Sequence, residues 1–338
     1  MPEKELHEAL FWKKEKDGRI KCNACQRNCL IAEGKTGFCR VRKNIDGRLY
    51  SLVYGKTLTL EVDPIEKKPL FHFKPGSQCT GVSTYGCNFS CLHCQNFHIS
   101  QKFTEEMIEK VPFTSPKEIV EQTLELGVQG IAYTYTEPTI FIEYALDTMK
   151  EAKKFGLYNV FVSNGYMSEE PLQAVKPFLD AINVDLKGNQ KFYQEVCGGV
   201  REKGVKNTIR WLYKNRIHDE VTYLIIPGFN DKEEYFREAA EFILSLSPSI
   251  PLHFSRFYPM NKLDYLPATD PKTVLKAKEI AEELGLKYVY AGNLQAEENT
   301  LCPECKNLLV RRYYYNTEMP GMQEGKCSKC GSKADMIF

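Results

Sequence analysis

Thirteen cysteines, most of them in three short clusters, restrict this 338-residue chain more than any other feature. Cys22, Cys25, Cys29 and Cys39 are spaced C-x2-C-x3-C-x9-C. Cys87, Cys91 and Cys94 are spaced C-x3-C-x2-C, and Cys302, Cys305, Cys327 and Cys330 are spaced C-x2-C-x21-C-x2-C. Cys79 and Cys197 stand alone. Disulfide frameworks belong to secreted chains, whereas tight clusters in a reducing compartment bind metal. The first twenty residues carry charge throughout and lack the apolar core of a signal peptide. The expected location is therefore cytoplasmic, and the expected role of the clusters is metal ligation.

The third cluster has the form of a zinc ribbon. Two C-x2-C knuckles flank a β-rich stretch (Leu308–Val310, then Tyr313–Tyr315), and Gly331 permits the turn behind the second knuckle. Four thiolates close a tetrahedron, so a structural Zn2+ is expected, with a rubredoxin-like iron as the alternative. So short a segment buries little core, and the ion would supply most of its folding energy. The first cluster also has four thiols, beside a hairpin expected at Asp46-Gly47. Zn2+ is preferred there, but spacing does not separate it from a second Fe-S cluster of the [4Fe-4S] type. The second cluster differs in kind. Three thiolates bind three irons of a [4Fe-4S] cube and leave the fourth iron open. A zinc site completed by His93 or His98 competes with it, and spacing alone leaves the two even. Cys79, on the preceding strand, reads as core.

Between the clusters, apolar runs alternate with helical ones. Strands are expected at Cys79–Tyr85, Gly130–Tyr133, Tyr158–Val162, Ala181–Leu186, Glu220–Ile226 and Leu252–Phe257, with a further one at Tyr288–Tyr290. Helices are expected at Pro116–Leu126, Thr139–Phe155, Glu170–Phe178, Lys232–Leu246 and Pro271–Leu284. This alternation predicts an α/β fold, a partial (β/α)6 TIM-like barrel. A small N-terminal cysteine-rich module (1–76) precedes the barrel (77–297), and a C-terminal zinc-ribbon module (298–338) follows it. Chemistry in such barrels sits at the C-terminal strand ends. There the sequence puts the three-cysteine loop, Thr134–Pro138, Ser163–Tyr166, Asp185–Lys187 and Pro227–Asp231, with His253 on the sixth strand. Asp185 and Lys187 share one face of a strand, so a structural ion pair explains them as well as a ligand site does. His253 could equally be a satisfied core histidine. Lys+Arg is 45 against Asp+Glu 44, a net charge of +1, which argues against nucleic-acid and membrane-surface partners. No apolar run approaches the roughly 18 residues of a membrane helix.

With these motifs in view the chain resembles the radical S-adenosylmethionine (SAM) superfamily, whose signature is C-x3-C-x2-C after the first strand of a partial barrel. Within it the chain is similar to the pyruvate formate-lyase activating enzymes, and most of all to the AmmeMemoRadiSam-type branch. Cys22–Arg42, Asp63–Phe73, Cys87–Asn96, Thr134–Pro138, Val184–Lys187 and Tyr288–Asn293 carry that likeness, over roughly residues 20–295. The resemblance implies an oxygen-sensitive [4Fe-4S] cluster on Cys87, Cys91 and Cys94. SAM would complete it and be cleaved reductively to a 5′-deoxyadenosyl radical, which abstracts hydrogen from a substrate or adds to it. The substrate, a small molecule or a protein, is not identified. A reductant such as ferredoxin or flavodoxin and Memo-like and AMMECR-like partners are also implied. Activation of a glycyl-radical enzyme is an alternative. A zinc-stapled adaptor binding RNA or protein is another, of a different class.

Roles follow by position. Thr136 and Glu137 stand in the Gly-Gly-Glu-Pro motif that binds the SAM amine, with Tyr135 and Thr136 where the family has glycines. Ser163 and Asn164 match the ribose-side loop. Val162 replaces the Asp that helps hold a monovalent cation in the activating enzymes. Asp185 and Lys187 match the motif reaching the SAM carboxylate, and His253 the histidine near adenosine. His93 takes the place of an aromatic residue on adenine, and Gln95 joins this cofactor-binding set. Lys67, Lys68, His72 and Cys197 receive no role.

Overall fold

Strands separated by whole helices cannot pair as hairpins, so each returns parallel to the one before. The computed structural model describes residues 6–338, so the first five residues of the expected N-terminal module lie outside it. One sheet runs in chain order: β1 (Thr59–Pro64), β2 (Gln78–Ser83), β3 (Gly130–Tyr133), β4 (Tyr158–Ser163), β5 (Ala181–Asp185), β6 (His218–Ile225), β7 (Leu252–Arg256) and β8 (Val289–Gly292). β2 to β8 are parallel. β1 is antiparallel to β2, with Asp63 opposite Cys79. β1 lies within residues 1–76, the range expected of the N-terminal module, yet it pairs into the barrel sheet.

The connecting helices are α1 (Pro116–Glu125), α2 (Ile142–Lys154), α3 (Glu169–Val175), α4 (Gln190–Glu195), α5 (Glu202–Lys214), α6 (Glu233–Leu244) and α7 (Pro271–Glu283). A capping box of Ser115 and Glu118, with Pro116 in the first turn, starts α1, and Asp270 with Pro271 starts α7. α4 and α5 were not expected. Arg201 gives α5 no side-chain cap, and its β-branched Val205, Thr208 and Ile209 weaken the propensity signal. Burial of those three residues against the sheet compensates.

The concave face is unusually polar toward its N-terminal end, and residues 65–73 fill it. Glu220 on β6 accepts the backbone N–H groups of Phe71 (3.0 Å) and His72 (2.7 Å). Asn183 on β5 donates to Pro69 O, and Tyr290 on β8 meets His72 at 2.6 Å. One short segment thus reaches three strands, which requires the sheet to curl around it as a barrel floor. Lys68 is buried there against Asp63 (2.7 Å). The ribbon covers this floor from outside. Arg312, wholly buried, donates to Phe71 O (2.6 Å) and Thr300 (2.7 Å), and Ile337 exchanges backbone hydrogen bonds with His72 and Lys74.

The N-terminal module packs at the other end. Its hairpin, Arg42–Ile45 with Arg48–Ser51, turns at Asp46 and Gly47, both at positive φ, as the Asp-Gly pair requires. No helix among the described residues is long and apolar enough to cross a membrane.

Candidate active site

The three-cysteine loop leaves β2 at the C-terminal rim. Gly86 (φ 99°) lets it pass under the N-terminal module, since a Cβ there would meet Val41 at 2.7 Å and Cys39 O at 2.9 Å. Two backbone hydrogen bonds tie the loop to the segment after α4: Leu92 N to Val196 O (2.9 Å) and Ser90 N to Cys197 O (3.4 Å). The buried Cys197 thiol lies beside that of Cys91. Cys197, which sequence reasoning left without a role, therefore belongs to the wall of the loop, and no local signal could have shown it. Cys94 meets Ser100 Oγ at 3.3 Å, and Cys87 accepts from Phe89 N (3.4 Å). Cys79 is buried against Asp63 O on the β1 edge, in the place expected of a core residue.

Glu137, Ser163 and Asn164 are brought together as one unit. The buried Glu137 carboxylate accepts from Ser163 Oγ (2.8 Å), Asn164 N (2.8 Å) and Thr139 N (3.2 Å). Burial raises its pKa above the usual range, and these donors from Thr139, Asn164 and Ser163 hold the rise in check. Asn164 in turn donates to Asn88 Oδ1 (2.7 Å) and lies 3.8 Å from Cys87 Sγ. Thr136 donates to Thr84 O (2.9 Å) and Asn96 to Tyr135 O (2.7 Å), closing this turn against the cysteine loop. Tyr135 has φ 64°, the left-handed conformation that glycine adopts easily and a bulky residue does not. Its hydroxyl bonds to Asp63 and its ring lies 4.5 Å from Lys68, so the floor holds the turn in that conformation.

Asp185 and Lys187 pair at 2.8 Å at the end of β5. Burial works against the Lys187 charge, but the Asp185 carboxylate outweighs it and raises its pKa well above the ordinary value. Asn230 fixes the Lys187 carbonyl at 2.8 Å, and Tyr193 OH its amide at 2.9 Å. His93 is buried with no partner for Nδ1. Burial, and then the Lys187 charge, lowers its pKa to about 3, so the ring is neutral. Gln95 is exposed on the loop.

His253 has other partners than those expected of it. Its Nε2 meets Glu220 at 2.7 Å, and its ring stacks on Tyr290 and meets Phe71 edge-on. It belongs to the floor, because a buried carboxylate needs donors and Glu220 finds them in His253, His218 and two backbone amides.

The donor set suits a cluster rather than a single ion. Among the described residues, one group of three or more His, Cys, Asp or Glu side chains has all its ligand atoms within 4.8 Å, and that group is Cys302, Cys305, Cys327 and Cys330. Cys87, Cys91 and Cys94 are not gathered within that distance, and a cube would carry each thiolate on its own iron. The unpaired His93 Nδ1 and the Lys187 ammonium beside them leave polar capacity for a further ligand. In the ribbon, Cys302–Cys330 (3.7 Å) and Cys305–Cys327 (3.6 Å) match the roughly 3.8 Å sulfur separation of one tetrahedral ion bound at about 2.3 Å.

A family model described as the radical SAM superfamily matches residues 82–243. An uncharacterized protein of Methanocaldococcus jannaschii is 43% identical over 340 residues, covering 98% of this chain and 100% of that protein. The pyruvate formate-lyase 1-activating enzyme of Escherichia coli is 21% identical over 224 residues, 61% of this chain and 89% of that enzyme. Among solved structures, a domain of a pyruvate-formate lyase-activating enzyme from Bacteroides vulgatus superposes with a TM-score of 0.43 and 20% identity, over 48% of this chain and 99% of that domain.

Proposed function

The chain belongs to the radical SAM superfamily, and from that premise we propose that Cys87, Cys91 and Cys94 hold a [4Fe-4S] cluster at the barrel rim and that SAM binds beside it. Bound there, the two would supply reductive cleavage of SAM for radical hydrogen abstraction or addition. The observation that carries the reading is convergence: Asn164 reaches Cys87, the Lys187 charge bears on Cys91, and Asn96 closes the turn before Glu137. The Glu137 turn fixes the backbone around an ammonium-binding position, and its carboxylate orients Ser163 and Asn164. Lys187 offers a buried cation to the SAM carboxylate, held in place by Asp185. His93, neutral and buried, presents a flat ring to adenine. The polar floor keeps bulk water out from below.

The finer reading places the enzyme in the AmmeMemoRadiSam branch, with a ferredoxin- or flavodoxin-type reductant and Memo-like and AMMECR-like partners. The similarity to pyruvate formate-lyase 1-activating enzyme favours a second reading, activation of a glycyl-radical protein. A purified candidate glycyl-radical protein that gains the glycyl EPR signal on incubation would decide for the second. Anaerobic reconstitution with iron, sulfide, SAM and dithionite tests the core claim. Wild-type protein should release 5′-deoxyadenosine, and the Cys87→Ala, Cys91→Ala, Cys94→Ala variant none. Release surviving in that variant would overturn it.

A further inference from the structure

The four N-terminal cysteines gather around one cavity, and their geometry bears on the two metals that spacing left open. Cys22, Cys25, Cys29 and Cys39 all line one small cavity. A single tetrahedral ion would draw the four sulfurs to about 3.8 Å from one another, as in the ribbon. They are not so drawn: the ribbon's cysteines alone form a group within 4.8 Å among the described residues. A cube carries each thiolate on its own iron, with sulfurs on the order of 6 Å apart. The Cys87, Cys91 and Cys94 site, in the same chain, also exceeds the single-ion limit. Neither of the first two clusters is gathered on the scale of a single ion, whereas the third is.

The cavity wall supplies a second, independent observation. Arg42 and Asn88 line it with the cysteines. Both are almost fully buried, and the Arg42 Nε and Asn88 Nδ2 donors have no partner. Arg42 has its terminal nitrogens engaged by Glu143 (2.9 Å) and Leu10 O (2.6 Å), so only Nε remains. Buried N–H groups left without acceptors are costly, and they point to an acceptor that belongs in the cavity. Inorganic sulfides of a cube offer such acceptors, beyond the thiolates that a lone ion would present.

We propose that Cys22, Cys25, Cys29 and Cys39 bind a [4Fe-4S] cluster, fully ligated by protein, in place of the zinc that the sequence favoured. The site adjoins the catalytic loop. Asn88 lies between Cys87 and Phe89 in that loop, lines the N-terminal cavity, and accepts from Asn164. Arg27, two residues after Cys25, donates to the carbonyls of Asn88 and Gly198. The inference about this cluster rests on the radical SAM reading only for the identity of its neighbour.

Metal analysis and Mössbauer spectroscopy on anaerobically reconstituted wild-type protein test it directly. About eight irons and one zinc per chain are expected, all iron in [4Fe-4S] form. About four irons and two zincs would overturn the proposal. The Cys87→Ala, Cys91→Ala, Cys94→Ala variant should keep about four irons and a [4Fe-4S] spectrum while releasing no 5′-deoxyadenosine. If that variant holds no iron while the wild-type protein cleaves SAM, this proposal fails and the radical SAM reading stands. The converse, iron retained and cleavage retained, would sink the radical SAM reading alone.

Discussion

The two four-cysteine modules bracket the barrel from opposite ends and solve different problems. The C-terminal ribbon draws its sulfurs to 3.6–3.7 Å in pairs, the scale of one ion, and spends its remaining side chains sealing the floor. The N-terminal module keeps its sulfurs wider, leaves two buried donors unpaired at its cavity, and fastens to the catalytic loop through Arg27. Similar composition thus seals the floor in one place and adjoins the three-cysteine loop in the other. The ribbon is no appendage. Arg312 reaches through to Phe71 O, and Glu66 accepts from Thr317 (2.8 Å) on the ribbon.

That contrast predicts unequal costs. Arg312→Leu removes a fully buried cation and leaves Glu66, 3.7 Å away, without its charged partner. Breaking such a pair costs about 3–5 kcal/mol. Thermal melting of the holoprotein should fall strongly, and deletion of residues 299–338 should lower it further. An unchanged melting curve in either would show that the ribbon does not support the floor.

Arg27→Met keeps the aliphatic stem and loses two charge-assisted bonds to carbonyls. The expected loss is about 1.5–3 kcal/mol in stability. It should appear as faster iron release from the Cys87 site, which Arg312→Leu should affect less. Equal release rates in the two variants would erase the distinction between the modules.

Lys187→Ala should raise the SAM dissociation constant at least tenfold, following the ~1.5–3 kcal/mol of a charge-assisted contact. Equilibrium dialysis under argon reads this, with iron content unchanged. Unaltered affinity with a lowered melting temperature would make the Asp185–Lys187 pair structural.

The smallest effect is on pH. Burial, in the first place, lowers His72 from 6.5 to about 4. The unfolded chain then binds the extra proton first, so stability is complete above about 6.5 and falls as pH drops toward 4. Between pH 7 and 6 the change is under about 1 kcal/mol. His72→Gln should flatten melting temperature over that range, and an identical slope in the variant would assign the effect elsewhere. Glu220, also lowered, acts in the same direction only below the carboxylate range, because burial opposes its charge but His218 and His253 outweigh it.

Much of the site was legible because the chemistry is local. The three cysteines sit within eight residues, Glu137 precedes Pro138, and Asp185 and Lys187 share a pleat face. What escaped depended on distant partners. Cys197 reaches Cys91 only once α4 is folded, and Glu220 becomes a hub only when residues 65–73 enter the barrel. The positive φ of Tyr135 is stable only with Asp63 and Lys68 beneath it. α5 lacked a cap and good propensity, so its helix rests on packing.

By itself the sequence determined the ligand types, their spacing, the β/α alternation and the rim on which the polar residues gather. These follow from rules that act over a few residues: chelate spacing, strand period and helix capping. Only the tertiary structure decided how far apart the sulfurs of each cluster stand, where His253 points and which module seals the floor. Those quantities depend on segments far apart in the chain, such as Arg312 with Phe71 and Arg27 with Gly198, and no periodicity encodes a distance across a barrel.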